Sequence, residues 1–406
     1  MSDTVAIIGG GPAGMMAAAM AAGRGKKAVI IEKNSTLGKK LLITGKGRCN
    51  ITNNCDISEF IANVPVNGNF LYSAFYTFTN RDLLSLLNRA GLETKVERGE
   101  RVFPVSDRAA DVLLTLKKIL KHYGVKLVHG EVLSVQSDDE GKKVILNGNR
   151  ALRCDSVIIA TGGISYPQTG STGDGYKFAK NFGHTIVNPK PSLVPLVLDS
   201  PYTGRLMGLS LRNISLKVTK DGKEIYTDFG EMLFTHYGAS GPVILSASSH
   251  MRDYGKHKYK IFIDLKPALD YETLDKRILR DFEKEKNKNF INSLDALLPK
   301  KMIPVVVDIT EIPPHKKVNE ISRAERKRLI DTLKCLEFDV TGPGSVKSAI
   351  ITSGGVNVKE INPKTMESKL EKGIFFAGEV IDVDAYTGGF NLQIAFSTGY
   401  LAGMNV

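Results

Sequence analysis

Cysteine is scarce: the chain holds four in 406 residues, Cys49, Cys55, Cys154 and Cys335, with no CxxC pair among them. That excludes a zinc knuckle, a dithiol redox motif and a disulfide-stapled scaffold, and points to reduced thiols in a cytoplasmic protein. The seven histidines, at 122, 129, 184, 236, 250, 257 and 315, show no HxH or HExxH spacing, so no metal site is expected. No repeat of solenoid length and no low-complexity tract appears, and 42% hydrophobic with 24% charged residues is ordinary for two or three globular domains. Charge is absent from Thr4 to Gly23, a stretch close to the ~20 residues a spanning helix needs. Gly9, Gly10, Gly11 and Pro12 interrupt it, and Ser2 and Asp3 precede it where a signal peptide would be basic. It is read as neither span nor signal, and no membrane partner is expected.

What the uncharged stretch does contain is a fingerprint. Val5 to Ile8 is a short apolar run, Gly9-Gly10-Gly11-Pro12-Ala13-Gly14 fits GxGxxG, and Met15 to Ala22 is a run of helix formers. Gly9 permits the tight turn, Gly11 lets a pyrophosphate approach the backbone, and Gly14 lets helix pack closely on strand. The helix N-terminus then offers free amides to the phosphates. A second strand, Ala28 to Ile31, ends in Glu32, 23 residues after Gly9, where a carboxylate accepts from an adenosine ribose and disfavours a 2′-phosphate. A dinucleotide is therefore expected at this end of the chain.

FAD and NAD share this signature, and the remaining chain must separate them. A polar loop, Thr44 to Asn53, follows; Ser156 to Ala160 runs into Thr161-Gly162-Gly163; Gly170 to Gly175 opens a helix to Phe182. Near the end, Ile374 to Ala377 meets Gly378-Glu379, and Thr387-Gly388-Gly389-Phe390-Asn391 opens the last helix. Glycine clusters scattered at strand ends imply one long ligand touched along its length. Between them lies an insertion, set off by Pro189, Pro191 and Pro195 and by Thr341 to Gly344. Residues 193–347 are read as a second domain interrupting a first made of 1–192 and 348–406. Alternating runs at Ile214 to Val218, Glu224 to Phe229 and Lys258 to Asp264 predict strands, and Thr273 to Lys286 and Ser322 to Leu336 predict helices. The fold class expected is α/β, a discontinuous Rossmann-like domain with an inserted small β-barrel or sandwich plus a helical portion.

The motifs carry a family resemblance. IIGGGPAGMMAA at Ile7 to Ala18, TGKGRCNITN at Thr44 to Asn53, ATGG at Ala160 to Gly163 and TGSTGDGY at Thr169 to Tyr176 all match. So do LFTHYGASGP at Leu233 to Pro242, TSGGV at Thr352 to Val356 and FFAGEVIDVDAYTGGFNLQIAFSTG at Phe375 to Gly399. The chain resembles two-dinucleotide-binding-domain flavoproteins, and more closely the bacterial NAD(P)/FAD-dependent oxidoreductases of the BaiN or YhiN type. One departure is Lys46, where the pattern expects glycine.

The resemblance implies tightly but noncovalently bound FAD. Gly9, Gly11, Gly14 and Glu32 would hold its ADP half, with Pro12, Ala13 and Lys33 in the same set, and Val132 would give a main-chain contact to adenine. Lys40, Gly45, Arg48, Cys49 and Asn50 would line the pyrophosphate, ribityl and ring side. Ala160, Thr161 and Gly162 would pass mid-cofactor, and Thr172 and Asp174 belong with them. Gly378, Glu379 and Asp382 fall where relatives carry an acidic ribityl contact. Gly389, Asn391 and Leu392 begin a helix whose amides would face the flavin N1 and O2 edge, where reduction places negative charge. The inserted domain would cover the flavin face.

Catalytic residues are harder to read, because a flavin needs little beyond a positioned substrate and one proton donor. His236, just before the helix start at Ser240-Gly241-Pro242, is the candidate donor; a histidine bonded within its own loop is the competing reading. Tyr386 and Thr387 could touch substrate, and Cys49 is by default a buried thiol.

Two functional classes follow. The first is an FAD-dependent oxidoreductase reducing an activated C=C bond of a small or hydrophobic molecule, as the resemblance suggests, with NAD(P)H binding transiently, since no second GxGxxG exists. The second is a flavoprotein acting on or binding tRNA, suggested by 55 basic against 43 acidic residues, a net charge of +12. The insertion holds 26 basic and 21 acidic residues with both signs on its helices, whereas a dedicated RNA stripe should be one-signed. Nucleic acid is therefore not the expected partner. Half the excess lies in residues 1–50, with eight basic and two acidic, around the segment that must hold a pyrophosphate.

Overall fold

The computed structural model describes residues 3–344 and 349–406. Contacts divide the chain into two compact units, Met1–Ser192 with Ala349–Val406, and Leu193–Ser348. The return boundary expected at 347/348 lies outside the described residues.

The first unit is built on five parallel strands: β1 (Thr4–Ile8), β2 (Lys27–Glu32), β3 (Lys126–His129), β4 (Ser156–Ile159) and β5 (Ile374–Phe376). Their order across the sheet is β5-β4-β1-β2-β3. The chain thus moves to one side of β1 and returns on the other, so the switch point of the topology falls where β1 ends, at Gly9. β1 and β4 are continuous apolar runs because both faces of the sheet are covered.

Helix α1 (Pro12–Gly23) is apolar all round because it is enclosed on every side. Helix α2 (Ala109–His122) is amphipathic, with Val112, Leu113, Leu116 and Leu120 buried. The final helix, α3 (Phe390–Asn405), lies on α1, and side chains at Gly399 and Gly403 would run into the carbonyls of Ala13 and Ala17. The unit also holds two three-stranded antiparallel sheets, one of Val132–Asp138, Gly141–Leu146 and Arg150–Cys154, the other pairing Arg101–Pro104 with Thr52–Asn53 and Thr94–Glu97. Ile186–Ser192 pairs antiparallel with Ile351–Val356.

The second unit contains a closed six-stranded antiparallel barrel, in the order Leu196–Asp199, Gly238–Ser240, Lys223–Phe234, Ser210–Lys220, Tyr259–Asp264, Leu336–Pro343. Of the two shapes the alternation allowed, closure selects the barrel, with Leu216, Ile261 and Phe234 fully buried inside the unit. The expected helices appear as Tyr271–Lys284 and Arg323–Lys334, each displaced by a cap: Asp270 accepts from Thr273 N–H, and Ser322 from Glu325 N–H. Leu336, expected to end the second helix, opens a barrel strand instead, because Cys335 has already left helical geometry.

The Ser322 cap carries a pH dependence. Glu325 accepts from Lys316 Nζ at 2.7 Å and from Ser322 N–H at 2.8 Å, and these bonds hold its carboxyl down at about 2, from an ordinary 4.5. A depressed carboxyl contributes stability above its unfolded pKa and loses it as pH falls through the folded one. Glu325→Gln is expected to cost about 1–2 kcal/mol at neutral pH. In urea titrations the gap from the native chain should close between pH 4.5 and pH 2.

Candidate functional site

The three fingerprint glycines serve three different needs. Gly9, at φ +107°, donates to Ile31 O at 2.9 Å, and a side chain there would press on the carbonyl of Ala160. A Cβ at Gly14 would collide with the carbonyl of Gly9, so helix meets strand at backbone distance. Gly11 is different: its φ is an ordinary −78° and nothing lies within 4 Å of the place a Cβ would occupy. The chain keeps glycine beside an open cradle that a side chain would fill.

Glu32 closes the turn. Its carboxylate, 8% exposed, accepts from Gly10 N–H at 2.7 Å and from both the N–H and Nδ2 of Asn34 at 2.8 and 2.7 Å. Asn34 Nδ2 also reaches Thr169 O at 3.0 Å, and Lys33 Nζ lies 2.6 Å from both Thr172 Oγ1 and Asp174 Oδ2. Burial opposes ionisation of Asp174, but Lys33 and Thr172 together hold its carboxyl below the usual range. The TGSTGDGY loop is thereby tied to the end of β2.

Lys40, Ser165 and Glu379 form a second cluster. Lys40 Nζ is 2.5 Å from Glu379 Oε2 and from Ser165 Oγ, while Glu379 Oε1 accepts from Ser165 Oγ at 2.6 Å and Thr352 N–H at 2.8 Å. Gly378, at φ +76°, donates to Thr398 Oγ1 of α3 at 2.9 Å. Asp382 is buried, with Asn67 Nδ2 3.0 Å from its Oδ2.

The TGKGRCN loop turns through left-handed geometry at Gly45, Lys46 and Gly47, with φ of 56°, 59° and 85°. Lys46 therefore holds a glycine-like conformation at a cost of roughly 1 kcal/mol, which is what the departure from the family pattern amounts to. Cys49 is also left-handed, at φ 62°, and fully buried, and burial pushes its thiol up to about 12. Arg48 does not reach toward the glycine turn: its guanidinium pairs with Glu97 and Asp107, which raise its pKa, and lies 4.1 Å over the Phe103 ring. Asn50 Oδ1 is buried with no hydrogen-bond partner and needs a donor.

Ala160 continues β4 and donates to Ile8 O at 2.9 Å; Thr161 follows, and Gly162 is left-handed at φ +74°. Val132 opens its own antiparallel strand and is 9% exposed. Gly389, at φ +104°, starts α3 where any side chain would strike the backbone of Thr52. Asn391 spends its side chain locally, on Ala385 N–H at 3.0 Å and Ala385 O at 2.7 Å, which leaves its first-turn amide, with that of Leu392, as the free group.

Helix starts repeat the same logic. Asn80–Arg89, Tyr271–Lys284 and Arg323–Lys334 have side-chain caps, whereas α1 and α3 begin at Gly11 and Gly389 with no cap and no acidic residue in the first turn. Amides left bare on a long helix favour an anion. With the cradle at Gly11 and the orphaned Asn50 oxygen, this donor set fits a dinucleotide carrying a pyrophosphate and an electron-rich ring edge.

Two residues lie inside the quoted motifs, yet the sequence gives neither a role. Gln393, fully buried, accepts from Thr52 Oγ1 at 2.7 Å and donates to Phe78 O at 3.2 Å, fastening α3 to the polar loop. Tyr176 is buried with an unpartnered hydroxyl, pushed up by burial and by Glu379 and Asp382. In the second unit, His236 is exposed on the loop before Gly238–Ser240, and its ring meets Tyr237 edge-on at 4.4 Å. Among the described residues no three His, Cys, Asp or Glu side chains gather as a metal site, and no helix is long and apolar enough to cross a membrane.

A parallel sheet with a glycine fingerprint at its switch point and an acidic residue ending β2 defines a Rossmann dinucleotide-binding protein. The chain matches the model of the HI0933-like protein Rossmann domain over residues 3–405 and belongs to that family, a family of FAD-dependent oxidoreductases. It is 33% identical to a ribosomal RNA dihydrouridine synthase of Haemophilus influenzae, with 98% of this chain and 97% of that protein aligned. It is 32% identical to a 3-dehydro-bile acid delta(4,6)-reductase of Clostridium scindens, covering 99% of this chain and 98% of the relative. In fold it is similar to a 3-ketosteroid-delta4-(5alpha)-dehydrogenase of Rhodococcus jostii RHA1, at a TM-score of 0.52 and 13% identity, over 100% of this chain and 96% of that one.

Proposed function

We propose that this flavoprotein reduces a carbon–carbon double bond conjugated to a carbonyl group, and that its substrate is a uracil ring in RNA. One observation carries the reading: over nearly its whole length the chain is equally related to two enzymes whose names specify the same bond type in unlike molecules. Dihydrouridine is uridine saturated at the bond conjugated to the ring carbonyl, and a delta(4,6) reduction of a 3-dehydro bile acid saturates bonds conjugated to a ketone. Either reaction adds two electrons and two protons across the bond.

Bound at the cradle, FAD supplies the two-electron store that such a reduction draws on. The chain's own part would be to hold it: α1 from Gly11 would take the pyrophosphate, Glu32 the adenosine ribose, and the first amides of α3 the N1 and O2 edge. We propose His236 as the proton donor. The reductant is a nicotinamide that binds transiently.

The charge balance that argued against nucleic acid was drawn over the insertion, and it says nothing of the Rossmann unit. A net charge of +12 and two RNA-named relatives, at 33% and 31% identity, favour RNA over a small hydrophobic substrate.

The test is anaerobic. NADPH or NADH should bleach the purified flavoprotein in a stopped-flow cell, and the reduced enzyme should then convert uridine in an unmodified ribosomal RNA transcript to dihydrouridine, read as a mass gain of two hydrogens. Turnover of a 3-oxo-Δ4 steroid with untouched RNA would overturn the choice of substrate. Failure with every acceptor and both nicotinamides would overturn the reductase reading.

A further inference from the structure

Many basic residues of this protein have acidic partners. In the inserted unit several are paired: Lys276 with Glu272 at 2.6 Å, Arg326 with Asp275 at 2.5 Å, Lys316 with Glu325 at 2.7 Å. In the Rossmann unit, Lys33, Lys40, Lys95 and Lys142 likewise have acidic partners. Lys117, Lys118 and Lys121 on α2 and Lys126 on β3 have none; all four are exposed and make no side-chain hydrogen bond or ion pair among the described residues. No acidic residue occurs between Asp111 and Glu131. This is the one-signed stripe that the insertion lacks.

The stripe borders a groove. An open depression of about 380 Å³ lies between α2, the edge strand β3 and the loop after β2, with Lys117, Lys121 and Lys126 on its rim beside the hydroxyls of Ser35 and Thr36. Its floor is apolar, formed in part by Leu120 and Leu127, the latter 45% exposed. Lys117 and Lys121 stand one helical turn apart, where like charges repel by a few tenths of a kcal/mol. A single phosphate satisfies one or two ammonium groups, so three unpaired ones around one groove call for a polyanion whose charges repeat.

We propose that this lysine-rimmed groove binds the phosphate backbone of the RNA substrate. The proposal rests on the reading of RNA as substrate and adds where the RNA is held. Lysine ammonium groups act there as point charges on phosphates, releasing condensed counterions, and Ser35 and Thr36 donate to phosphate oxygens. Interactions of this kind position the RNA without reading its sequence, which leaves selection of the uracil to the flavin site.

The test uses the flavin-loaded full chain and a fluorescent ribosomal RNA fragment, with binding followed by anisotropy from 50 to 200 mM salt. The triple variant K117E/K121E/K126E, with the neutral K117Q/K121Q/K126Q beside it, should bind at least tenfold more weakly. The slope of log affinity against log salt should be shallower by about two to three in the neutral variant, at roughly 0.7–0.9 for each phosphate that is no longer neutralised. Unchanged flavin absorbance and melting temperature establish that both variants are folded. Native affinity and slope in the variants overturn the groove while leaving the RNA reading standing, and loss of binding to anionic phosphatidylglycerol vesicles alone does the same. Failure of the native protein to bind or reduce RNA overturns both.

Discussion

Valine in place of Gly11 is expected to give a folded, colourless protein. The backbone there is extended, at φ −78° and ψ −178°, which a β-branched residue adopts without strain, and beyond the adjoining backbone no atom of the described residues lies within 4 Å of the new Cβ. Apoprotein stability should therefore stay within about 0.5 kcal/mol of the native chain. The cofactor is what meets the side chain, because the pyrophosphate has to close on the N–H groups that Gly11 leaves open. Keeping the phosphates off those amides should weaken FAD binding by at least about 100-fold, or about 2.7 kcal/mol. Gly14→Ala should behave in the opposite way. Its Cβ would strike the Gly9 carbonyl and push α1 off β1, costing about 3 kcal/mol of stability with or without cofactor. Flavin absorbance after desalting and urea titration of the apoproteins separate the two effects. A yellow, tight-binding Gly11→Val protein would show that the cradle holds no pyrophosphate.

That contrast bears on how much of the molecule is legible in its sequence. Where one short segment sets both conformation and packing, the reading is direct: the apolar run, glycine turn and helix of residues 4–23 appear as β1, Gly9 and α1. The final helix is equally plain, since Gly388 and Gly389 must turn left-handed before it can start. The barrel is legible as alternation but not as closure, because closure depends on Leu196–Asp199 finding Leu336–Pro343 across the whole insertion. Charged residues are the least legible. Arg48 sits within the loop that resembles a cofactor-lining motif, yet Glu97 and Asp107, far along the chain, take its guanidinium. A charge count over the insertion likewise misses the lysines of α2 and β3, which lie outside it and of which three surround one groove.

The same reasoning makes Glu379 a costly polar side chain to remove from the Rossmann unit. Its carboxylate joins three segments distant in sequence: Lys40 from Lys39–Ile43, Ser165 from the loop after β4, and Thr352 from Ile351–Val356. Ser165 and Thr352 are buried, at 2% and 0% exposure, so water does not replace what Glu379→Ala takes away. An unmet amide and an unmet hydroxyl cost about 1–3 kcal/mol each. Lys40 is about one-fifth exposed and recovers part of its solvation, so its loss adds less. A total near 3–4 kcal/mol is expected, with faster flavin release, because the loop after β4 and the Lys40 helix both belong to the predicted cofactor wall. Glu379→Gln keeps an acceptor for the Thr352 amide and should cost about 1 kcal/mol. The double variant K40M/E379A distinguishes a linked cluster from three separate interactions. It should be about 1–2 kcal/mol more stable than the single losses predict when added, since removing Lys40 also removes the cation that Glu379→Ala strands. Additive losses in urea titrations, or a Glu379→Ala protein as stable as the native chain, would mean that these segments are held by packing alone.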